Sequence, residues 1–215
     1  MNYTHIIWDW NGTLVDDVDV TVECVNDTLK AYGLPTTNRQ EYLDVITPSM
    51  EEYYGRMIDL SVHPLTEILS HFQSGYAKRL GKLKLQNGAE DVLNHLKSIG
   101  AHQYIVSSFE QSALVRDVSL FNIVPYFDEI SGAGDILCGS KTDRAKQITD
   151  HAKLSGRPVY IGDSISDYNT AKGAGCDCIL IAKGHQKKSD LEKLPQYDGY
   201  SVRVLDNISQ IISII

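Results

Sequence analysis

The spacing of hydrophobic positions changes at Gly88, and the change divides the chain into two kinds of structure. At the start, Ile6, Ile7 and Trp8 stand together in a run over residues 4 to 10 that stops at Asn11-Gly12, the pattern of a buried strand followed at once by a turn. Between Asp17 and Tyr32 the apolar residues Val18, Val22, Val25 and Leu29 recur at helical spacing, so a helix is predicted there, with Gly33 and Pro35 as its stop. Further helices are predicted at 38 to 46, 48 to 59 and 64 to 80, with Pro48 in the first turn of the second.

After Gly88, short apolar strands alternate with helices. Helix 89 to 99 leads to strand Gln103-Tyr104-Ile105-Val106, and helix 110 to 120 leads toward Ile130. Helix 142 to 154 then leads to Val159-Tyr160-Ile161, and helix 167 to 174 to Cys178-Ile179-Leu180-Ile181. Such alternation implies right-handed crossovers and a parallel sheet covered on both faces. The fold class expected is therefore α/β, with a Rossmann-like parallel sheet. One strand precedes the all-helical stretch and the others follow it. The expected organisation is an α/β core of residues 1–15 and 86–215 with a helical cap, residues 16–85, inserted into it.

Bulk composition narrows the function classes. A chain of 215 residues with 42% hydrophobic content supports a real core. A formal net charge of -8, without a long run of Lys or Arg, speaks against a nucleic-acid partner. Lys183, Lys187 and Lys188 form the one notable basic patch, around Gly184, His185 and Gln186, and it reads as a solvated loop. No apolar run is long enough to cross a bilayer, and the first residues lack the pattern of a secretory signal, so a cytoplasmic protein with no membrane partner is expected. Cys24, Cys138, Cys176 and Cys178 show no paired spacing and are expected to be free thiols. The Cys176-Asp177-Cys178 triplet reads as one buried strand face rather than half a metal site.

Ligands of an open parallel sheet gather at the carboxyl ends of its strands. Polar residues stand at four such places: Asp9-Trp10-Asn11-Gly12-Thr13-Leu14, Ser107-Ser108, Lys141, and Gly162-Asp163-Ser164-Ile165-Ser166-Asp167. Taken singly each has an ordinary reading. Asp9 would be a turn or cap residue, Ser107 and Ser108 helix caps, and Lys141 a solvated residue near a helix start.

Taken together, Asp-x-x-Gly-Thr-Leu-x-Asp from Asp9 to Asp16, Ser107, Lys141, and Gly162-Asp163-Ser164-x-x-Asp167 followed by Asn169, Ala171 and Gly175 resemble the haloacid dehalogenase superfamily over nearly the whole chain. The likeness is to its phosphoglycolate phosphatase-like branch, which has a helical cap after the first motif. The resemblance implies a phosphatase-like hydrolase acting on a small phosphorylated metabolite, with Asp9 as nucleophile and an aspartyl-phosphate intermediate. It also implies Mg²⁺ held by the Asp9 carboxylate, the Asn11 main-chain carbonyl and Asp163, with Asp167 a further acid of the metal shell. A hard cation suits such oxygen ligands, and it offsets the repulsion between a carboxylate and a phosphate dianion. Lys141 would hold phosphoryl oxygens and Asp9, while Ser107 and the N–H groups near Gly12 and Ser108 would donate to phosphate. Thr13 and Asp16 are expected to shape the turn.

The sequence departs from the family at position 11. In most of the family's phosphatases that residue is a carboxylic acid that protonates the leaving oxygen and then activates water. Asn11 has no proton to exchange near neutral pH, which puts proton transfer in doubt and leaves metal binding and nucleophilic attack untouched. The alternatives are a non-catalytic phosphate- or metabolite-binding protein, a phosphomutase relative, disfavoured by Asn11, and a phosphonate-cleaving relative. That last chemistry uses a cap lysine, and no lysine stands between residues 47 and 54. The segment Ile46-Thr47-Pro48-Ser49-Met50 lies where relatives screen the substrate. Tyr53, Tyr54, Arg56 and His63 are within reach of it in sequence, although helical spacing assigns Tyr54, Met57 and Ile58 to a core. His5, Trp8 and Trp10 read as structural.

Overall fold

The computed structural model describes residues 3–134, 140–153 and 156–215; Cys138, and Leu154 at the end of the predicted helix 142 to 154, lie outside the described residues. The chain runs β1 (His5–Trp8), β2 (Val15–Asp16), α1 (Val18–Ala31), α2 (Arg39–Val45), α3 (Met50–Gly55), α4 (Leu65–Ala77) and β3 (Lys84–Leu85). It continues α5 (Ala89–Ser98), β4 (His102–Glu110), α6 (Gln111–Leu120), β5 (Glu129–Ala133), α7 (Lys141–Ala152), β6 (Pro158–Gly162), α8 (Ile165–Ala174), β7 (Asp177–Ile181), α9 (Lys188–Leu191) and β8 (Val202–Leu205).

Six strands form one sheet in the order β5-β4-β1-β6-β7-β8, and every neighbouring pair in it is parallel. This is the α/β, Rossmann-like architecture expected. β1 lies inside it, with His5 to Trp8 opposite His102 to Ile105 on one side and Pro158 to Ile161 on the other. Alternate residues of a strand face opposite sides. Ile6 and Trp8 accordingly join a cluster with Val92 and Leu96 of α5 and Leu114 of α6, whereas Ile7 joins Ala145 and Ile148 of α7 and Ala171 of α8. Each face is thus covered by helices, which is why these strands read as continuous apolar runs.

The helices before β3 have an apolar cluster of their own, containing Val18, Val22, Val25 and Leu29 of α1 with Tyr42, Tyr53, Tyr54, Ile58, Ile68 and Leu69. Met57, expected in that core, is 37% exposed, because it follows the end of α3 in a turn closed by its N–H on the Tyr54 carbonyl. The helix predicted over 48 to 59 is confined to Met50–Gly55: the Ser49 side chain accepts the Glu52 N–H and caps it, leaving Pro48 outside rather than in the first turn. Two residue pairs, Val15 with Leu85 and Asp16 with Lys84, tie the entry of this helical stretch to its exit. Strand β8, which pairs with β7 at the sheet edge, is not anticipated by the alternation.

His5 is buried and stacks on His102 at 4.9 Å, and Trp8 and Trp10 are fully buried, as their structural reading requires. Cys24, Cys176 and Cys178 are buried free thiols, the last two in the cluster beneath α7 and α8. Among the described residues, no helix is long and apolar enough to cross a membrane.

Candidate active site

The end of β1 is anchored by the Asp9 N–H, which donates to the Ile161 carbonyl at 2.8 Å. The chain then turns sharply, with the N–H groups of Thr13, Leu14 and Val15 all directed at the Trp10 carbonyl. Gly12 takes φ of +76°, and a Cβ there would stand 2.4 Å from Asp163 Oδ2. Only glycine combines that backbone region with so close an approach. The turn leaves Asp9 6% exposed at the floor of a cleft of about 550 Å³.

Asp163 follows β6, and Asp167 lies in the first turn of α8, where it closes a capping box with Ser164. Carboxylate oxygens of Asp9, Asp163 and Asp167 lie within 4.8 Å of one another, all three buried. Lys141, at the start of α7, points its Nζ between two of them, 2.6 Å from Asp9 Oδ1 and 2.7 Å from Asp167 Oδ1. It also sits 5.6 Å from the centre of the Tyr160 ring. The Thr13 hydroxyl lies 3.3 Å from Asp9 Oδ2 and 3.0 Å from Asp163 Oδ1, so one proton is shared between the two acids.

One ammonium among three buried carboxylates leaves excess negative charge. Burial raises the Asp9 pKa to about 8; Lys141 works against the rise, while Asp167 and Asp163 add to it. Asp163 is raised to about 6, again mainly by burial, with His185 opposing. A divalent cation fits this donor set, since hard oxygens are gathered and the charge they carry is not matched by the protein. The free capacity lies on Asp9 and Asp163. Asp167 is committed, with Oδ1 on Lys141 and Oδ2 accepting from the Asp163 N–H, the Ser164 N–H and the Ser164 hydroxyl.

Ser107 and Ser108, within β4, line the same cleft, and the Ser107 hydroxyl oxygen accepts the Phe109 N–H at 3.0 Å. Gly12 lies under Asp163, but its N–H is engaged by the Val15 carbonyl at 3.0 Å and by Asp17 Oδ1 at 2.9 Å. Asn11 lines the cleft, with its amide Nδ2 donating to Asp17 Oδ2 at 2.7 Å and to the Tyr76 hydroxyl oxygen at 3.0 Å.

Asp17 is a residue the sequence does not single out. It is 1% exposed, receives Asn11, Gly12 and Tyr76, and faces His185 Nε2 at 3.2 Å. Asp17 therefore holds the turn, whereas Asp16, expected in that role, is exposed on β2 beside Lys84. Strand β2 turns Val15 inward and Asp16 outward, and Asp17 follows it as the residue that opens α1.

His185, in the loop expected to be merely solvated, lines the cleft. Its backbone N–H donates to Asp163 Oδ2 at 2.6 Å, and its Nδ1 meets the Tyr42 hydroxyl at 3.0 Å, so the loop after β7 joins α2 to the acidic floor. Lys187 and Lys188, at the surface, are paired with Asp44 and Asp206. Tyr53, Tyr54, Arg56 and His63 do not line the cleft.

A sequence profile described as Haloacid dehalogenase-like hydrolase matches residues 6–181. The chain belongs to that family. Its relatives include proteins with more than one named activity. A phosphoglycolate phosphatase of Cereibacter sphaeroides is 27% identical over 203 residues, covering 91% of this chain and 92% of the relative. The tyrosine-protein kinase PtkA of Mycobacterium tuberculosis is 25% identical over 190 residues, 87% of this chain and 65% of that protein. In fold, the crystal structure of a predicted phosphatase from Clostridium acetobutylicum matches 100% of both chains with a TM-score of 0.81 at 19% identity.

Proposed function

We propose that this family member hydrolyses a small phosphorylated metabolite with Mg²⁺, through attack by Asp9 and an aspartyl-phosphate intermediate. The observation that carries the reading is the set of three buried carboxylates within 4.8 Å, open to a cleft and paired with Lys141. Asp9, Asp163 and the Asn11 main-chain carbonyl would hold the metal, and Asp167 would complete its surroundings through water. Mg²⁺, when bound, supplies the positive charge that lets a carboxylate and a phosphoryl group approach.

The protein's own residues account for the rest. Asp9 stands at the end of a strand fixed on both sides, so its carboxylate is oriented before substrate arrives. Attack requires the ionised acid, and Lys141 at 2.6 Å favours it. Lys141, itself oriented by Asp167, would also meet phosphoryl oxygens, with Ser107 and Ser108 as further donors. In this reading residues 16–85 act as a cap over a core of residues 1–15 and 86–215, and the cleft between them shields the phosphorylated carboxylate from bulk water. Asn11 orients but does not transfer protons, so breakdown of the intermediate is expected to be the slow step.

Release of phosphate from 4-nitrophenyl phosphate tests the proposal. Activity is expected with Mg²⁺, lost in chelator, restored by added Mg²⁺, and absent in Asp9→Asn. A variant lacking Asp9 that retained full activity would overturn it. Saturable phosphate binding by the native protein, with no turnover of any ester, would favour a non-catalytic binding protein instead.

A further inference from the structure

The cleft above Asp9 is unevenly charged. Its upper walls carry the apolar side chains Ile46, Met50, Leu65, Leu69, Phe72 and Phe109. Among the described residues that line it, Lys141 is the one lysine or arginine, and that charge is held between Asp9 and Asp167. The imidazole of His185 is directed at Asp17. Two acids, Glu51 and Glu110, stand on the walls instead. The Ser112 hydroxyl, with the Ser112 and Ala113 N–H groups, holds the Glu110 carboxyl below the usual range, so it stays charged.

A carboxylate on the organic part of a substrate would leave water for a wall that offers it no cation. It would lose hydration and face Glu51 and Glu110, both of its own sign. An apolar group on the same wall would gain by removing Leu69, Phe72 and Phe109 from water. We infer that the substrate is a phosphate monoester whose organic portion is uncharged and largely apolar, and that phosphorylated carboxylic acids are disfavoured. This rests on the phosphatase reading above and concerns only what the phosphoryl group is attached to.

Phenyl phosphate and 4-carboxyphenyl phosphate separate the two cases, since they share ring and phosphoryl group and the carboxylated phenol is the better leaving group. With native protein and Mg²⁺, kcat/KM is expected to favour phenyl phosphate by about tenfold or more. Gln73→Lys, which adds a cation to the cleft wall, should narrow that ratio mainly through KM for the carboxylated ester. Equal values for the two esters in the native protein, or a ratio unmoved in Gln73→Lys, would overturn the inference alone. No turnover of either ester would remove the phosphatase reading and this inference with it.

Discussion

The Asn11 amide donates to the Asp17 carboxylate at 2.7 Å, and the same Asp17 oxygen accepts the Tyr76 hydroxyl at 2.9 Å. The identity of residue 11 is thereby tied to that of residue 17. An acid at position 11 would set two carboxylates against each other in a buried place, so the sequence-based view of Asn11 as a simple loss of an acid is incomplete. Asn11→Asp alone is expected to destabilise the protein by on the order of 1–3 kcal/mol, read by urea unfolding. Adding Asp17→Asn should recover most of that loss. The double variant, and not the single one, should gain turnover on esters with poor leaving groups, up to about 10²-fold or more. A stable, faster Asn11→Asp single variant would show that the two positions are independent.

Lys141 makes a separable prediction, because among the described residues it is the one cation paired with Asp9. Lys141→Met should lower turnover by on the order of 10²–10³ while leaving the fold intact by circular dichroism. Lys141→Arg should not restore it, since the larger planar group does not fit between Asp9 and Asp167. Comparable rates in the native and methionine proteins would remove the lysine from the reaction.

The pH dependence of metal binding follows from the raised acids. Asp163 is lifted to about 6 and Asp9 to about 8, chiefly by burial, so in metal-free protein both hold protons that the unfolded chain releases. Stability contributed by those protons is present at low pH and is lost as pH rises through these values. A divalent cation takes the place of the protons as counter-charge. The increase in melting temperature on adding Mg²⁺ should therefore be small at pH 5.5, grow through pH 7 and level off above about 8, as scanning calorimetry would record. A metal effect that shrinks with rising pH would contradict the assignment.

The Asp17–His185 pair predicts an alkaline limb. Burial opposes charge on His185, but the carboxylate and hydrogen bond of Asp17, with Asp163 and Asp9 beyond, together lift its pKa to about 9. Its contribution is fully present below the ordinary histidine value and disappears as pH rises through about 9. Asp17 is shifted the other way: burial is outweighed by His185, Asn11 and Tyr76, so its contribution is lost only in acid. In chelator, His185→Gln should be less stable than native protein at pH 7, and the gap should narrow at pH 10. Parallel stability curves for the two proteins would refute a charged pair.

These relationships mark how far the sequence can be read. Asp9, Lys141, Asp163 and Asp167 were legible because each stands just beyond a predicted strand or at a helix start, and the parallel topology carries such residues to one end of the sheet. The distance between Lys141 and Asp9 along the chain, 132 positions, was no obstacle. Asp17, Tyr42, Tyr76 and His185 were not legible, because their meeting depends on how the helices α1 to α4 and the loop after β7 sit on the core. His185 lies 168 positions from Asp17 and shares no periodic pattern with it. Asp16 and Asp17 are adjacent and chemically identical, and a two-residue strand decides which turns inward. The start of α3 was likewise settled by the Ser49 hydroxyl, a single hydrogen bond that apolar spacing does not encode.

Behind the Asp163 carboxylate there is no room: a Cβ at Gly12 would stand 2.4 Å from its Oδ2, and one at Gly184 only 2.0 Å away. Inheritance of this site is therefore governed by two positions that perform no chemistry. Walls of the cleft can drift one side chain at a time, and with them the molecules admitted, whereas any replacement of these glycines must displace an acid. In a lineage of such proteins, the silent backing of the carboxylate would be expected to change more slowly than the surfaces that meet the substrate.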